Sequence, residues 1–251
     1  MSAWRRAGPG GAGMLPLRQE REDAVAGSKS GMARKRGEID EALRRRWGWT
    51  PYRLIAGAAL FACGFVLACD VAMWFVVDGY DPVGQTISEL AAGPHHWIQD
   101  AGILVFACGL LALAAGLVLR GEGDGLSWTM RGALVLLAAD VMLIALWNEY
   151  GDGEAGGPVL HLWFVGALYV LVGLILWLGT SVPPAQGDRL ARAGKAAAVV
   201  WALAAPFLFV VPDGVEGAYE RVLALIMLGA VATAAWQLYR APGAARSSSA
   251  A

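Results

Sequence analysis

Asp70 and Asp140 stand inside long apolar runs, while Ser88, Glu89, His161 and Arg221 stand near the ends of such runs. A carboxylate facing lipid costs about 2.5–3.5 kcal/mol on an insertion scale, so both acids are expected to face protein. There they either do chemistry, as proton carriers or ligands, or satisfy neighbouring polar groups. Arg221 is the only permanent cation among the acidic connections and is expected to pair with a carboxylate. Its removal would leave a buried charge unpaired. The functional reading is a polar, outward-opening cavity lined by Asp70, Asp100, Asp140, Glu149, His161 and Arg221. Ser88, Glu89, His95 or His96 would stand at its mouth. The competing reading is that these groups only shape loops and balance one another, and Glu149, Asp152 and Glu154 suit a solvated loop.

The histidines also raise a metal. His95 and His96 are adjacent, so on a helix they point in different directions, and no HxxxH or HExxH spacing exists. Zinc with three protein ligands and an open position would need His161, Asp70 and one of His95 or His96, gathered by the fold. The alternative for His161 is a polar residue ending a helix.

Six apolar stretches must position these groups: 52–77, 98–119, 129–147, 160–182, 196–211 and 218–239. Each is close to the roughly 20 residues that cross a hydrocarbon core. The fifth is the shortest and contains Pro206, which predicts a kink or short half-helix near its end. Basic residues flank the N-terminal end and the second and fourth connections, and acids fill the first, third and fifth. That alternation predicts N-in and C-in. Trp47, Trp49, Trp128, Trp177 and Trp236 fall at predicted inner ends, and Trp74, Trp97, Trp147 and Trp163 near outer ends, as two interfacial belts should. Ala58 with Ala62, and Ala112 with Gly116, offer small-residue helix contacts.

The connection GYDPVGQTISELAAGPHHW carries the most local information. Tyr80-Asp81-Pro82 reads as a turn. Thr86-Ile87-Ser88-Glu89 fits a capping box and Gly93-Pro94 a helix stop, which together predict a short interfacial helix over about 87–92.

Composition agrees with a membrane class. Of 251 residues 16% are charged, against about a quarter in soluble domains. Mean hydropathy is +0.50. Residues 1–46 read as a disordered, basic cytoplasmic tail, 47–240 as an all-α polytopic six-helix domain, and 241–251 as a short disordered cytoplasmic tail. Arg34-Lys35-Arg36 and Arg44-Arg45-Arg46 suit an anchor to anionic lipid. Cys63, Cys69 and Cys108 lie in apolar runs and read as packing residues. Soluble nucleic-acid binding and extracellular disulfide scaffolds are excluded.

The pattern resembles the family known as domain of unknown function 998, small multi-pass proteins of bacteria and archaea. The likeness rests on Asp81, Pro82, Gln85, Thr86, Ser88, Glu89, Leu90 and Gly93 in the first outer connection, and covers about 52–240. WNEYGDGEAGGPVLH is a looser counterpart of the family's polar stretch before its histidine, here His161. Glu220-Arg221 resembles its charged entry to the last helix. The stretch 147–152 lacks the Phe-Pro expected before the acid, which weakens any role for Asp152. The resemblance implies fold and topology and supplies no reaction. The expectation is a lipid- or partner-binding accessory protein of the bacterial plasma membrane. The alternatives are a metal-dependent hydrolase acting on lipids and a small proton-coupled transporter using Asp140 or Asp70.

Overall fold

The computed structural model describes residues 51–120, 125–147, 160–179, 188–212 and 214–240, with six residues between 31 and 42. Glu149, Asp152, Glu154 and the segments 1–30 and 241–251 lie outside the described residues. The chain divides into two compact units, Met1–Thr50 and Pro51–Ala251. In the first, the described residues Gly31, Arg34, Lys35, Glu38, Ile39 and Ala42 are helical, and Arg34 Nε lies 3.5 Å from Glu38 Oε1. Both side chains are exposed, so this pair adds little to stability.

The described residues of the second unit form helices joined by turns, with no strand among them. Its elements are α1 (Pro51–Val76), α2 (Ile87–Ala92), α3 (His96–Arg120), α4 (Gly125–Leu146), α5 (Leu160–Gly179), α6 (Asp188–Ala204), a 3-10 turn (Ala205–Val210) and α7 (Glu216–Arg240). Among the described residues six stretches are long and apolar enough to cross a membrane: Arg53–Val76, His96–Leu119, Trp128–Leu146, Leu160–Gly179, Arg192–Val210 and Glu216–Arg240. The fifth begins earlier than the apolar run suggested, because α6 starts in the polar stretch before it. Pro206 lacks an N–H, and from Ala205 the helix tightens to 3-10 geometry. The Tyr219 hydroxyl donates to the carbonyl of Ala204 (2.7 Å), where the two geometries meet.

A heptad seam joins α1 to α3. Gly102, Gly109 and Gly116 face Cys69, Ala62 and Ile55 in antiparallel register. A Cβ added at Gly102 would lie 2.9 Å from Cys69 Cβ, and one at Gly109 2.5 Å from Ala62 Cβ. The missing side chains are what let the two backbones approach, the usual basis of helix pairing in lipid. The four-residue pairs expected from sequence are only half on this seam. Ala62 and Gly116 are buried, but Ala58 is exposed and Ala112 half-buried. A seven-residue step keeps a residue facing the same partner, whereas a four-residue step drifts round the helix. Cys63 and Cys69 pack as expected, while Cys108 is exposed on the outward face of α3.

α4 packs on α3, and α7 lies against α1. α5 and α6 are fastened to each other by Trp201, whose Nε1 donates to the Tyr169 carbonyl (2.8 Å) and whose ring meets Tyr169 edge-on. The end of the bundle opposite α2 carries arginines laid over aromatic rings: Arg53 on Tyr239, Arg131 on Trp128 and Arg240 on Trp236.

Asp140 is buried on α4, 6% exposed, and its Oδ2 accepts no hydrogen bond from any described residue. An orphaned buried polar group costs roughly 1–3 kcal/mol. Asp140→Leu is therefore expected to raise the unfolding midpoint of the detergent-solubilised protein. A lower midpoint would show that the carboxyl has a partner the fold depends on.

Candidate functional site

The polar residues gather where the 77–86 connection, α2 and the first turn of α7 meet. Local sequence explains how α2 forms. The Thr86 hydroxyl accepts from Glu89 N–H (3.1 Å), and Glu89 Oε2 accepts from Thr86 N–H (2.8 Å), the reciprocal capping box. Gly93 ends the helix with extended backbone (φ −81°), its N–H donating to Leu90 O, so no left-handed cap is used. Before α2, Asp81 and Gln85 close a turn: Asp81 Oδ1 accepts from Val83 N–H (3.0 Å) and Gln85 Oε1 from Asp81 N–H (2.9 Å).

This connection is pressed onto α7. Ala218 N–H donates to Val83 O (2.9 Å), and a Cβ at Gly217 would collide with the carbonyl of Gln85. Only glycine fits there.

Arg221 then bonds in every direction open to it. Nε and Nη2 fork onto Asp70 Oδ2 (3.1 Å) and Oδ1 (3.0 Å). Nη1 reaches the carbonyls of Pro82, Gln85 and Gly217, each at 3.0 Å, and Nη2 also donates to the Tyr80 hydroxyl. Guanidinium has five N–H donors, and six acceptors surround it. The group also lies over the rings of Trp74 and Tyr80. Tyr80 OH in turn donates to Gln85 O (3.0 Å). Burial pushes this phenol up to about 12, against the opposing pull of Arg221, so it keeps the proton it donates. Arg221 and Asp70 thus form a tie between the last span and the first, with no donor left for a ligand.

The neighbouring cluster is built differently. His161, 3% exposed at the start of α5, has Nδ1 3.0 Å from the Trp147 carbonyl and Nε2 3.1 Å from Ser88 Oγ. A carbonyl can only accept, so Nδ1 carries the hydrogen. In the neutral ring Nε2 then has a lone pair aimed at the Ser88 hydroxyl. Glu220 closes the cluster: Oε2 accepts from Ile87 N–H (2.6 Å), and Oε1 lies 3.4 Å from Ser88 Oγ. Ser88 sits half-buried between a potential base and a carboxylate, the arrangement that raises the nucleophilicity of a hydroxyl.

Of the residues singled out from sequence, Asp70 joins Arg221, and Ser88 joins His161. Glu89 is occupied by the capping box. Asp100 Oδ2 lies 2.7 Å from His96 Nδ1, one turn apart at the start of α3. His95 is exposed on the turn before it, and Asp140 is separate on α4. The four residues considered for zinc are divided: Asp70 is on Arg221, His96 on Asp100 and His161 on Ser88. Among the described residues no group of three or more His, Cys, Asp and Glu could hold a metal ion. Sequence reasoning passed over Tyr80, Gly217 and the Trp147 carbonyl, and noted Glu220 only beside Arg221. A carbonyl leaves no trace in residue type, but the pair Glu220-Arg221 at a helix entry did point here.

No curated protein and no solved structure matches the chain. A family model described as "Protein of unknown function (DUF998)" matches residues 60–237, and the chain belongs to that family of multi-pass membrane proteins.

Proposed function

We propose that the protein is a membrane-embedded serine enzyme that hydrolyses or transfers an acyl group carried by a lipid, at the outer face of a bacterial plasma membrane. Ser88 is the nucleophile and His161 the general base. The observation that supports this is the chain Ser88 Oγ, His161 Nε2, His161 Nδ1, Trp147 O, in which a backbone carbonyl fixes the imidazole tautomer and aims its lone pair at a hydroxyl.

The reaction follows from those groups. Ser88 Oγ attacks the carbonyl carbon of an ester or amide while its proton passes to His161 Nε2. The tetrahedral adduct collapses as the C–O or C–N bond breaks, and His161 returns the proton to the leaving group. Water or another acceptor then attacks the acyl-serine, His161 takes its proton, and Ser88 leaves with that proton. The lipid assignment rests on place. Trp74, Trp97, Trp147 and Trp163 are exposed at this end of the helices, where amphipathic rings mark the headgroup level and ester bonds lie just beneath.

A fluorophosphonate probe tests the reading, since an activated serine displaces its fluoride. The folded protein in nanodiscs is expected to give an adduct on the peptide containing Ser88, absent from Ser88→Ala. Folded wild type without that adduct would sink the reading. A second reading is a lipid- or partner-binding accessory protein without chemistry; in it no single carboxylate would be indispensable, and stability would follow the pairing of Arg221. A zinc-dependent hydrolase is separable too. Nδ1 of His161 is committed to Trp147, so zinc would take Nε2 and displace Ser88 from it. Near-stoichiometric zinc by elemental mass spectrometry, lost in a His161 variant, would favour the metal over the serine.

A further inference from the structure

Ser88 has one hydroxyl hydrogen and two acceptors for it. His161 Nε2 is 3.1 Å away and Glu220 Oε1 3.4 Å. Glu220 is held in place by its other oxygen, which accepts the N–H of Ile87, the first residue of α2. Its placement is therefore independent of Ser88 and survives when the serine hydrogen moves. The Trp147 carbonyl orients His161 but carries no charge, so it cannot balance the imidazolium that forms when Ser88 attacks. In a serine–histidine–acid triad a buried carboxylate does both jobs from the Nδ1 side.

From this division of labour, and resting on the acyl-transfer reading above, we propose that Glu220 is a positioning residue for that reaction. In its carboxylate form, one hydroxyl away from His161, it stabilises the imidazolium from the nucleophile's side. Once Ser88 has given its proton to Nε2 and its oxygen is bonded to carbon, imidazolium and carboxylate face each other across that oxygen. Among the described residues the other charged groups around the cluster are placed as follows. Arg221 is forked onto Asp70, Glu89 holds Thr86 N–H, His96 faces Asp100, and Tyr80 is a neutral donor. Asp81 is turned onto Val83 N–H, and Glu216 opens α7 one turn away from Glu220. Among the described residues Glu220 is the carboxylate in contact with Ser88.

Glu220→Gln separates charge from shape. The amide oxygen still accepts from Ile87 N–H and the amide nitrogen still reaches Ser88, so the fold is kept while the charge is lost. The experiment measures the rate of fluorophosphonate labelling at Ser88 across pH in nanodiscs, for wild type, Glu220→Gln and Glu220→Asp, with the unfolding midpoint of each. Expected is a loss of about 10- to 100-fold in Glu220→Gln at an unchanged midpoint, with part of the rate restored in Glu220→Asp, where the charge returns. The pH dependence of the Gln variant should also lose the ionisation that Glu220 contributes. Labelling of Glu220→Gln at the wild-type rate and pH profile overturns the proposal while leaving the serine enzyme standing. An equal loss in the Gln and Asp variants also overturns it, because shape then matters and charge does not. Wild type that is folded but unlabelled removes both readings together.

Discussion

Arg221→Ala is expected to destabilise the protein by roughly 3–5 kcal/mol, the cost typical of leaving one partner of a buried ion pair unpaired. Asp70 is 5% exposed and would stay buried without its fork, and the carbonyls of Pro82, Gln85 and Gly217 would each lose a donor. Arg221→Lys should recover little, since an ammonium has three donors and cannot fork onto a carboxylate while reaching three carbonyls. The double variant Asp70→Ala with Arg221→Ala should be more stable than Arg221→Ala alone, because no buried carboxyl is left without its partner. Unfolding in mixed micelles, followed by tryptophan fluorescence, measures all three. Arg221→Ala within about 1 kcal/mol of wild type, the worth of an ordinary surface pair, would show that the tie does not carry the fold.

His161→Ala separates chemistry from architecture. Loss of a general base lowers a rate by about 10²- to 10⁴-fold, and labelling of Ser88 should fall by that range. The structural cost is smaller. The hydrogen bonds to Ser88 and to the Trp147 carbonyl each have a net worth of about 1 kcal/mol. A sharp loss of labelling at a slightly lowered midpoint is the expected result. Arg221→Ala, in contrast, should lose both together. Labelling of Ser88 in His161→Ala at the wild-type rate would mean that the imidazole is not its base.

The six spans and the capped helix over 87–92 were legible because both rest on local rules: length and polarity in one case, a four-residue hydrogen-bond box in the other. The pairing of Arg221 with a carboxylate also followed from sequence, since a lone buried cation needs one. Its choice of Asp70 did not, because 151 positions separate the two and only the packing of α7 on α1 brings them together. The cavity expected from sequence joined residues by their common end of the chain pattern. The structure sorts them more finely, with Asp70 beside Arg221, Ser88 beside His161, Asp100 on His96, and Asp140 apart. Tyr80 looked like part of a turn, and its role as a donor beneath Arg221 depends on how the Asp81–Gln85 turn folds back. The glycine seam escapes a search at four-residue spacing because its own step is seven.

The tie between Asp70 and Arg221 has a consequence for how the chain is made. Asp70 lies on α1, which leaves the ribosome well before α7 and its Arg221. Domains form from the N-terminal end as synthesis proceeds, so the glycine seam can close early while Asp70 still has no cation to meet. The connection before α2, and Ser88 on α2, gain their anchors on α7 only when that helix arrives. A nascent chain without α7 therefore lacks both the stabilising pair and the completed cluster.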